Sequence, residues 1–141
     1  MLCREVMKKD VTCIAENDTA WAAAKLMRDQ NIGFLPVCSS DGKVIGTITD
    51  RDIVVRLAAE DGALTTTVDQ VMTNELVCCK PQDDIARAET LMEQERKSRI
   101  VCVDDQGHAA GVISLSDIAQ REDVARVGGL LRAIAGREAL A

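Results

Sequence analysis

Short runs of apolar and polar residues give way to a helical period, and this change happens twice along the chain. Val11-Thr12-Cys13-Ile14 is a β-prone run. From Thr19 to Gln30 helix formers dominate, and Ala20, Ala23, Ala24 and Met27 fall on one face, with Asp18 as the expected N-cap. Phe34 to Cys38 and Lys43 to Thr49 read as strands joined by the turn residues Ser39-Ser40-Asp41-Gly42. Pro36 has no amide to donate, so it is expected at a sheet edge or at a strand start. The order then returns. Asp83 is the expected N-cap of a helix whose buried face carries Ile85, Ala88 and Met92. Arg99 to Val103, Asp104-Asp105-Gln106-Gly107 and His108 to Ser114 form the second hairpin. Beyond Arg121, Val124, Val127, Leu131 and Ile134 keep helical spacing across the unfavourable Gly128-Gly129 pair. That stripe is expected to pack on the body or on a second subunit.

The two stretches are copies. Shifted by 65 positions, residues 6–56 align with residues 71–121 without a gap, and 13 of the 51 positions are identical. Unrelated segments would share about three, since one residue type makes up only ~5–7% of a chain. The matches include Val6-Met7 with Val71-Met72, Gly46 with Gly111, and Asp52-Ile53 with Asp117-Ile118. A unit of this size buries little apolar surface by itself, so the copies are expected to share a core. The pattern divides the chain into a first motif over 5–59, a linker over 60–69, a second motif over 70–122 and a helical tail over 123–141. The expected class is α+β.

Composition narrows the function. The chain has 141 residues, 47% of them hydrophobic, and a net charge of −6, which argues against nucleic acid or an acidic membrane surface as partner. Trp21 and Phe34 are the only aromatic residues, so a stacking platform for single strands is missing. No apolar run approaches the length of a membrane span. Met1-Leu2-Cys3-Arg4-Glu5 meets charge at once, so no signal peptide is expected and the cytoplasm, where thiols stay reduced, is the expected compartment. No Cys-x-x-Cys pair occurs among the six cysteines, so no metal is expected. Cys13, Cys38, Cys78 and Cys102 read as small core residues, with Cys78-Cys79 as a redox sensor the minor alternative. The single histidine, His108, sits in a turn. No nucleophile lies beside a base and no P-loop is present, so neither catalysis nor a catalytic cofactor is expected.

The chemistry concentrates in Gly46-Thr47-Ile48-Thr49-Asp50-Arg51-Asp52-Ile53 and Gly111-Val112-Ile113-Ser114-Leu115-Ser116-Asp117-Ile118. Each places a hydroxyl at a strand end and an acid three residues on, at the start of a helix. A helix start favours anions such as phosphate. The hydroxyl can donate to the same phosphate, and the carboxylate can accept from both hydroxyls of a ribose. Thr12-Cys13-Ile14 and Phe34-Leu35-Pro36 can supply an apolar slot for a base. The competing reading is structural: a hydroxyl followed three residues later by an acid is close to a capping box, although Glu or Gln is preferred to Asp there.

Together the repeat, the Val-Met pairs, the Gly33-Phe34-Leu35-Pro36-Val37 strand and the two glycine-to-acid segments resemble the cystathionine β-synthase (CBS) motif. The tandem pair, over residues 5 to about 121, looks like a Bateman module of the small stand-alone bacterial type. The resemblance implies two β-α-β-β-α units related by a pseudo-two-fold axis, with ligand clefts between them. It implies an adenosine ligand (AMP, ADP, ATP, NAD or S-adenosylmethionine), a homodimer of four motifs, and regulation of a separate protein. Carried over by position, Asp52 and Asp117 hold ribose hydroxyls, and Thr49 and Ser114 meet phosphate with help from Arg51. Thr12, Cys13, Ile14, Phe34, Leu35 and Pro36 line the first site. Cys78, Cys79, Arg99, Ile100 and Ser116 line the second. The copies differ around this frame: Arg51 becomes Ser116, Asp50 becomes Leu115, Phe34 becomes Arg99 and Pro36 becomes Val101. Two unequal sites are therefore expected, with the first slightly favoured. The alternative is a scaffold of the same fold that holds no ligand.

Overall fold

The structure is a computed structural model that describes residues 1–139; Leu140 and Ala141, the end of the expected tail, lie outside the described residues. In chain order the elements are α1 (Cys3–Val6), β1 (Ile14–Ala15), α2 (Ala20–Gln30), β2 (Phe34–Cys38), β3 (Val44–Thr49), α3 (Asp50–Ile53), β4 (Cys78–Cys79), α4 (Ile85–Glu95), β5 (Arg99–Val103), β6 (Ala109–Ser114), α5 (Leu115–Ala119) and α6 (Val124–Ala139). A wide turn over Val54–Ala58 prolongs α3, and a tight helical turn spans Val68–Gln70. The strands form two three-stranded sheets, ordered β1-β2-β3 and β4-β5-β6. In each, the first two strands are parallel and the last two antiparallel. The mixed α+β class and the strand-helix-hairpin-helix order of both copies are as expected.

The repeat holds at the level of single residues. α2 and α4 each run 11 residues and stop at a left-handed residue, Asn31 with φ 53° and Arg96 with φ 52°. Both hairpins bulge at matching places, Val37/Cys38 and Cys102/Val103, and both turn through a glycine with positive φ, Gly42 and Gly107. The two helix caps lie one residue beyond the expected Asp18 and Asp83. Thr19 Oγ1 accepts from Ala22 N at 3.0 Å, and Asp84 Oδ1 accepts from Ala86 N at 3.0 Å. Asp83 instead closes the preceding turn by accepting from Lys80 N, and Asp18 accepts from the next amide, Thr19 N. The run Val11 to Ile14 contributes only Ile14 to a strand, because pairing with β2 begins at Ile14↔Val37.

Pro36 is buried in the middle strand of its sheet, not at an edge. Its partner Thr47 uses both backbone groups elsewhere: Thr47 N donates to Thr73 O at 3.1 Å, and Thr73 N donates to Thr47 O at 2.8 Å. Pro36↔Thr47 is thus a non-hydrogen-bonded pair, and the donor that proline lacks would point toward the other neighbour, whose pairing starts only at Val37. The sheet loses no hydrogen bond.

Compact units do not follow the copies. One unit comprises Thr12–Leu76, and the other combines Met1–Val11 with Val77–Ala141. Each copy's sheet is completed by the segment that leads into the other copy. Thr73 bridges to Thr47 on β3, and Lys8 bridges to Val112 on β6. The residues of the expected linker belong to the first of these units: Thr66 O and Leu64 O accept from Ala20 N and Trp21 N at the start of α2, and Val68 is fully buried. One shared core is replaced by two clusters, each inside its unit. Ile14, Ala23, Met27, Leu35, Ile48, Val68 and Val71 mark one; Val6, Ile85, Met92, Ile100, Ile113 and Leu130 mark the other. Burial of each aliphatic side chain contributes about 1.5–3 kcal/mol, and the borrowed Val68, Val71 and Val6 supply part of it.

α6 packs on α4 and α5 through Val127, Leu130 and Ile134. The sequence stripe placed Leu131 there; Leu131 and Val124 are exposed, because the face set by Val127 and Ile134 passes through position 130. Arg126 of α6 pairs with Glu89, which is buried in α4. Trp21 is half exposed, with Lys25 Nζ 3.8 Å from the ring centroid. His108 is an exposed turn residue 3.9 Å from Asp104.

Candidate functional site

Each unit contains one strand-to-helix turn of the expected kind. In the first-copy unit β3 ends at Thr49 in extended conformation and α3 begins at Asp50. Thr49 Oγ1 accepts from Asp52 N at 3.1 Å, and Asp52 Oδ2 accepts from Thr49 N at 3.0 Å. In the second-copy unit Ser114 Oγ accepts from Asp117 N at 3.1 Å, and Asp117 Oδ2 accepts from Ser114 N at 2.9 Å and from Ser114 Oγ at 2.7 Å. Both turns are closed capping boxes. The shorter Asp side chain reaches the backbone here, so the structural reading of this pattern is fulfilled in both copies.

What the box leaves over is Oδ1 of each acid. In the first-copy unit it faces the Thr73 hydroxyl at 3.3 Å and Arg56 Nε at 3.8 Å; Arg56 is fixed in turn by donating to Met72 O at 2.8 Å. In the second-copy unit it faces Lys8 Nζ at 3.7 Å. Thr73 and Lys8 occupy equivalent places in the repeat, each on the segment that arrives beside the other copy's last strand. The sequence reading missed Lys8, Thr73 and Arg56. The available signal was their fixed distance from the Val-Met pairs and the shared Arg56/Arg121 position.

Gly46 and Gly111 serve this arrival. A Cβ on Gly46 would lie 2.4 Å from Thr73 O, and one on Gly111 would lie 2.6 Å from Met7 Sδ and 2.9 Å from Lys8 O. Close backbone approach, not a ligand, accounts for the two glycines.

Amides at the helix starts are already engaged in the first-copy unit. Asp50 N donates to Gly33 O at 3.1 Å, Arg51 N to Asp50 Oδ1 at 2.9 Å, and Asp52 N to the box. In the second-copy unit Leu115 N donates to Ser98 O at 2.8 Å, but Leu115 offers no carboxylate to Ser116 N. The exposed Asp50 also adds negative charge beside Thr49 that Leu115 does not add beside Ser114.

The strand register sets Phe34 opposite Thr49 and Arg99 opposite Ser114. Phe34 is half-buried and Arg99 exposed, as are Arg51 and Ser116. Thr12 donates to Gln30 at 2.6 Å. Cys13 is half-buried on the approach to β1, and burial together with Cys38 pushes its thiol up to about 12. Cys78 is likewise raised, mainly by burial. Ile14, Leu35, Pro36, Cys79 and Ile100 are buried, so they present backbone rather than side chain near the turns.

The CBS domain family model matches residues 3–59 and 68–123. The chain is 31% identical over 139 residues to hypoxic response protein 1 of Mycobacterium tuberculosis, covering 98% of this chain and 96% of that one. It is 35% identical over 116 residues to the CBS domain-containing protein YhcV of Bacillus subtilis, covering 82% and 81%. Its fold matches, at a TM-score of 0.76 and 24% identity, a CBS domain pair of protein MJ0100 solved in complex with 5′-methylthioadenosine and S-adenosyl-L-methionine; the match covers 85% of this chain and 94% of that one.

Proposed function

The chain belongs to the CBS domain family, and on that premise we propose that it is a non-catalytic regulatory module holding an adenosine-containing ligand at its two strand-to-helix turns. The observation that carries this reading is the repeated hydroxyl–acid pair whose carboxylate keeps Oδ1 outside its own capping box and beside a polar group. An acceptor so placed suits a ribose hydroxyl. Thr49 and Ser114 stand next to it for a phosphate or another polar substituent, and Arg51 and Arg99 lie close enough in sequence and register to add charge-assisted contacts. The adenosine compounds bound by the MJ0100 pair support the ligand class. Output then passes to a separate protein or through a homodimer, for which the exposed Trp21 is a suitable contact.

Thermal-shift and calorimetric titration with AMP, ADP, ATP, NAD, 5′-methylthioadenosine and S-adenosylmethionine tests the reading. A ligand that binds the native state must raise the melting temperature. At least one compound is expected to do so, and the gain is expected to disappear in Asp52→Ala with Asp117→Ala. No shift with any of them would sink the proposal.

One observation favours a second reading, a scaffold without ligand: both boxes are complete in themselves, so helix capping alone explains the hydroxyl–acid pairs.

A further inference from the structure

Three cysteines that are far apart in sequence meet in the core of the second-copy unit. Cys3 on α1, Cys79 on β4 and Cys102 on β5 have Sγ atoms all within 4.8 Å of one another, and Cys79 and Cys102 are 3.3 Å apart. Their exposures are 0%, 3% and 0%. Among the described residues, no histidine or carboxylate side chain joins the group.

The repeat supplies an internal control. Shifted by 65 positions, Cys3, Cys79 and Cys102 fall on Val68, Ile14 and Val37. These three are also buried in the first-copy unit, at 0%, 3% and 0%. The same place in the same fold is thus filled by aliphatic side chains in one copy and by three thiols in the other. Packing does not demand cysteine there.

We propose that Cys3, Cys79 and Cys102 form a buried three-sulfur site for a thiophilic ion, and that a trivalent ion, such as the arsenic(III) of arsenite, fits it best. The geometry is close to what such an ion needs. With a bond of about 2.3 Å, as for zinc and sulfur, and the angles of roughly 95–100° that a lone pair imposes on a three-coordinate centre, the sulfurs sit about 3.4 Å apart; Cys79 and Cys102 are already at 3.3 Å, and the longer sides must draw in by at most about 1.4 Å. The charge balance selects the valence. A closed zinc site takes four ligands, and three thiolates on a divalent ion leave a net charge in a dry, apolar core, where charge is costly. Three thiolates on a trivalent centre are neutral. Loading is a ligand exchange without redox change: As(OH)₃ and three thiols give As(SCys)₃ and three waters, each thiol proton leaving on a released hydroxide. Because Cys3 comes from the segment Met1–Val11, the bound ion ties that segment to the sheet of the second copy.

The test uses the whole chain under reducing conditions with sodium arsenite. Native mass spectrometry is expected to show one arsenic retained, and X-ray absorption at the arsenic edge three sulfurs and no oxygen in its first shell. The melting temperature is expected to rise on loading. The variant Cys3→Val/Cys79→Ile/Cys102→Val, which copies the first-copy unit, is expected to fold and to retain no arsenic. Cys13→Ser/Cys38→Ser/Cys78→Ser is expected to load as wild type. Fewer than three sulfurs around arsenic in the wild-type chain would overturn the assignment without recourse to any variant, as would loss of loading only in the second variant. Zinc(II) retained as tightly as arsenic(III) would overturn the preference for a trivalent ion.

Discussion

Lys8 Nζ stands 3.7 Å from the Asp117 carboxylate, on the oxygen that the helix cap leaves over. Its counterpart in the other unit is a neutral hydroxyl: Thr73 Oγ1 lies 3.3 Å from the same oxygen of Asp52. Both come from the segment that crosses to complete the other copy's sheet. The asymmetry of the two turns is therefore set from outside the motif that carries the acid. Lys8 sets a cation beside Asp117, while the first-copy turn has Arg56 Nε 3.8 Å from Asp52 and the exposed acid Asp50 beside Thr49, so the two turns present different charge to a ligand.

Exchanging these two residues should move the preference. Lys8 is 76% exposed on its side chain, so its contribution is screened and modest. Lys8→Thr is expected to weaken binding of a phosphate-bearing ligand at the second-copy turn by roughly two- to fivefold, and Thr73→Lys to strengthen the first-copy turn by a similar factor. Titration calorimetry at two salt concentrations reads this. An effect of Lys8→Thr that is unchanged by salt would contradict an electrostatic role.

Capping and ligand binding can be separated at Asp52. Asp52→Asn keeps an oxygen able to accept from Thr49 N but replaces the second oxygen by a donor, which cannot accept from a ribose hydroxyl. The expected cost in stability is below about 1 kcal/mol, whereas affinity at that turn should fall roughly 10- to 100-fold. Asp117→Asn should behave the same way in its unit. Urea melts and titrations on one preparation decide the matter: unchanged affinity with intact stability would mean that Asp52 only caps its helix and does not hold the ligand.

Much of this was legible in the chain. The 65-residue offset predicted helices and glycine turns in pairs because local structure depends on local sequence, and both copies share it; the caps fell one residue beyond the expected positions in both copies, and the paired bulges were not foreseen. The hydroxyl and acid at Thr49/Asp52 and Ser114/Asp117 were visible, as was their double meaning. What stayed hidden is non-local. Nothing in Val6-Met7-Lys8 says that its backbone pairs with Val112, so Lys8, Thr73 and the purpose of Gly46 and Gly111 were missed. Pro36 reads as an edge residue because pattern cannot show that β1 begins pairing only beyond it. The tail's face was shifted by one position because Gly128-Gly129 carry no side chain to mark it. The cysteine trio escaped because spacing rules search along the chain, while these sulfurs meet across three elements.

The glycine pair gives an unequal test of the crossing segments. At Gly46 the obstruction to a Cβ is the backbone carbonyl of Thr73, held in a two-way bridge. At Gly111 the nearest obstruction is the flexible Met7 side chain, with Lys8 O further off. Gly46→Ala is expected to cost about 1–3 kcal/mol through displacement of that bridge, and Gly111→Ala less, since methionine can swing aside. Chemical denaturation of the two variants side by side checks the order. Equal costs would mean that Lys8 O, not Met7, sets the limit in the second copy.

Glu89 and Arg126 should respond oppositely to mutation. Glu89 is buried in α4; one oxygen pairs with Arg126, and the other, Oε1, has no partner. Burial raises its carboxyl above the ordinary value of 4.5 despite Arg126, so the net environment resists the charge. The first copy has Ala24 at this position. Glu89→Ala therefore removes a strained charge and leaves an exposed arginine, and stability at pH 7 should hold or rise. Arg126→Ala leaves the charge buried and uncompensated, and stability should fall. The sign of the pH dependence follows from the raised value. The contribution linked to Glu89 is fully present below about pH 4.5, where the carboxyl is protonated in both states. It is lost as pH rises through the higher folded-state value. The deficit of Arg126→Ala should accordingly be largest at neutral pH and shrink on acidification, while Glu89→Ala loses its advantage over wild type. Thermal melts from pH 4 to 7 measure both. An Arg126→Ala deficit that grows toward low pH would show that Arg126 stabilises α6 by packing and not by compensating Glu89.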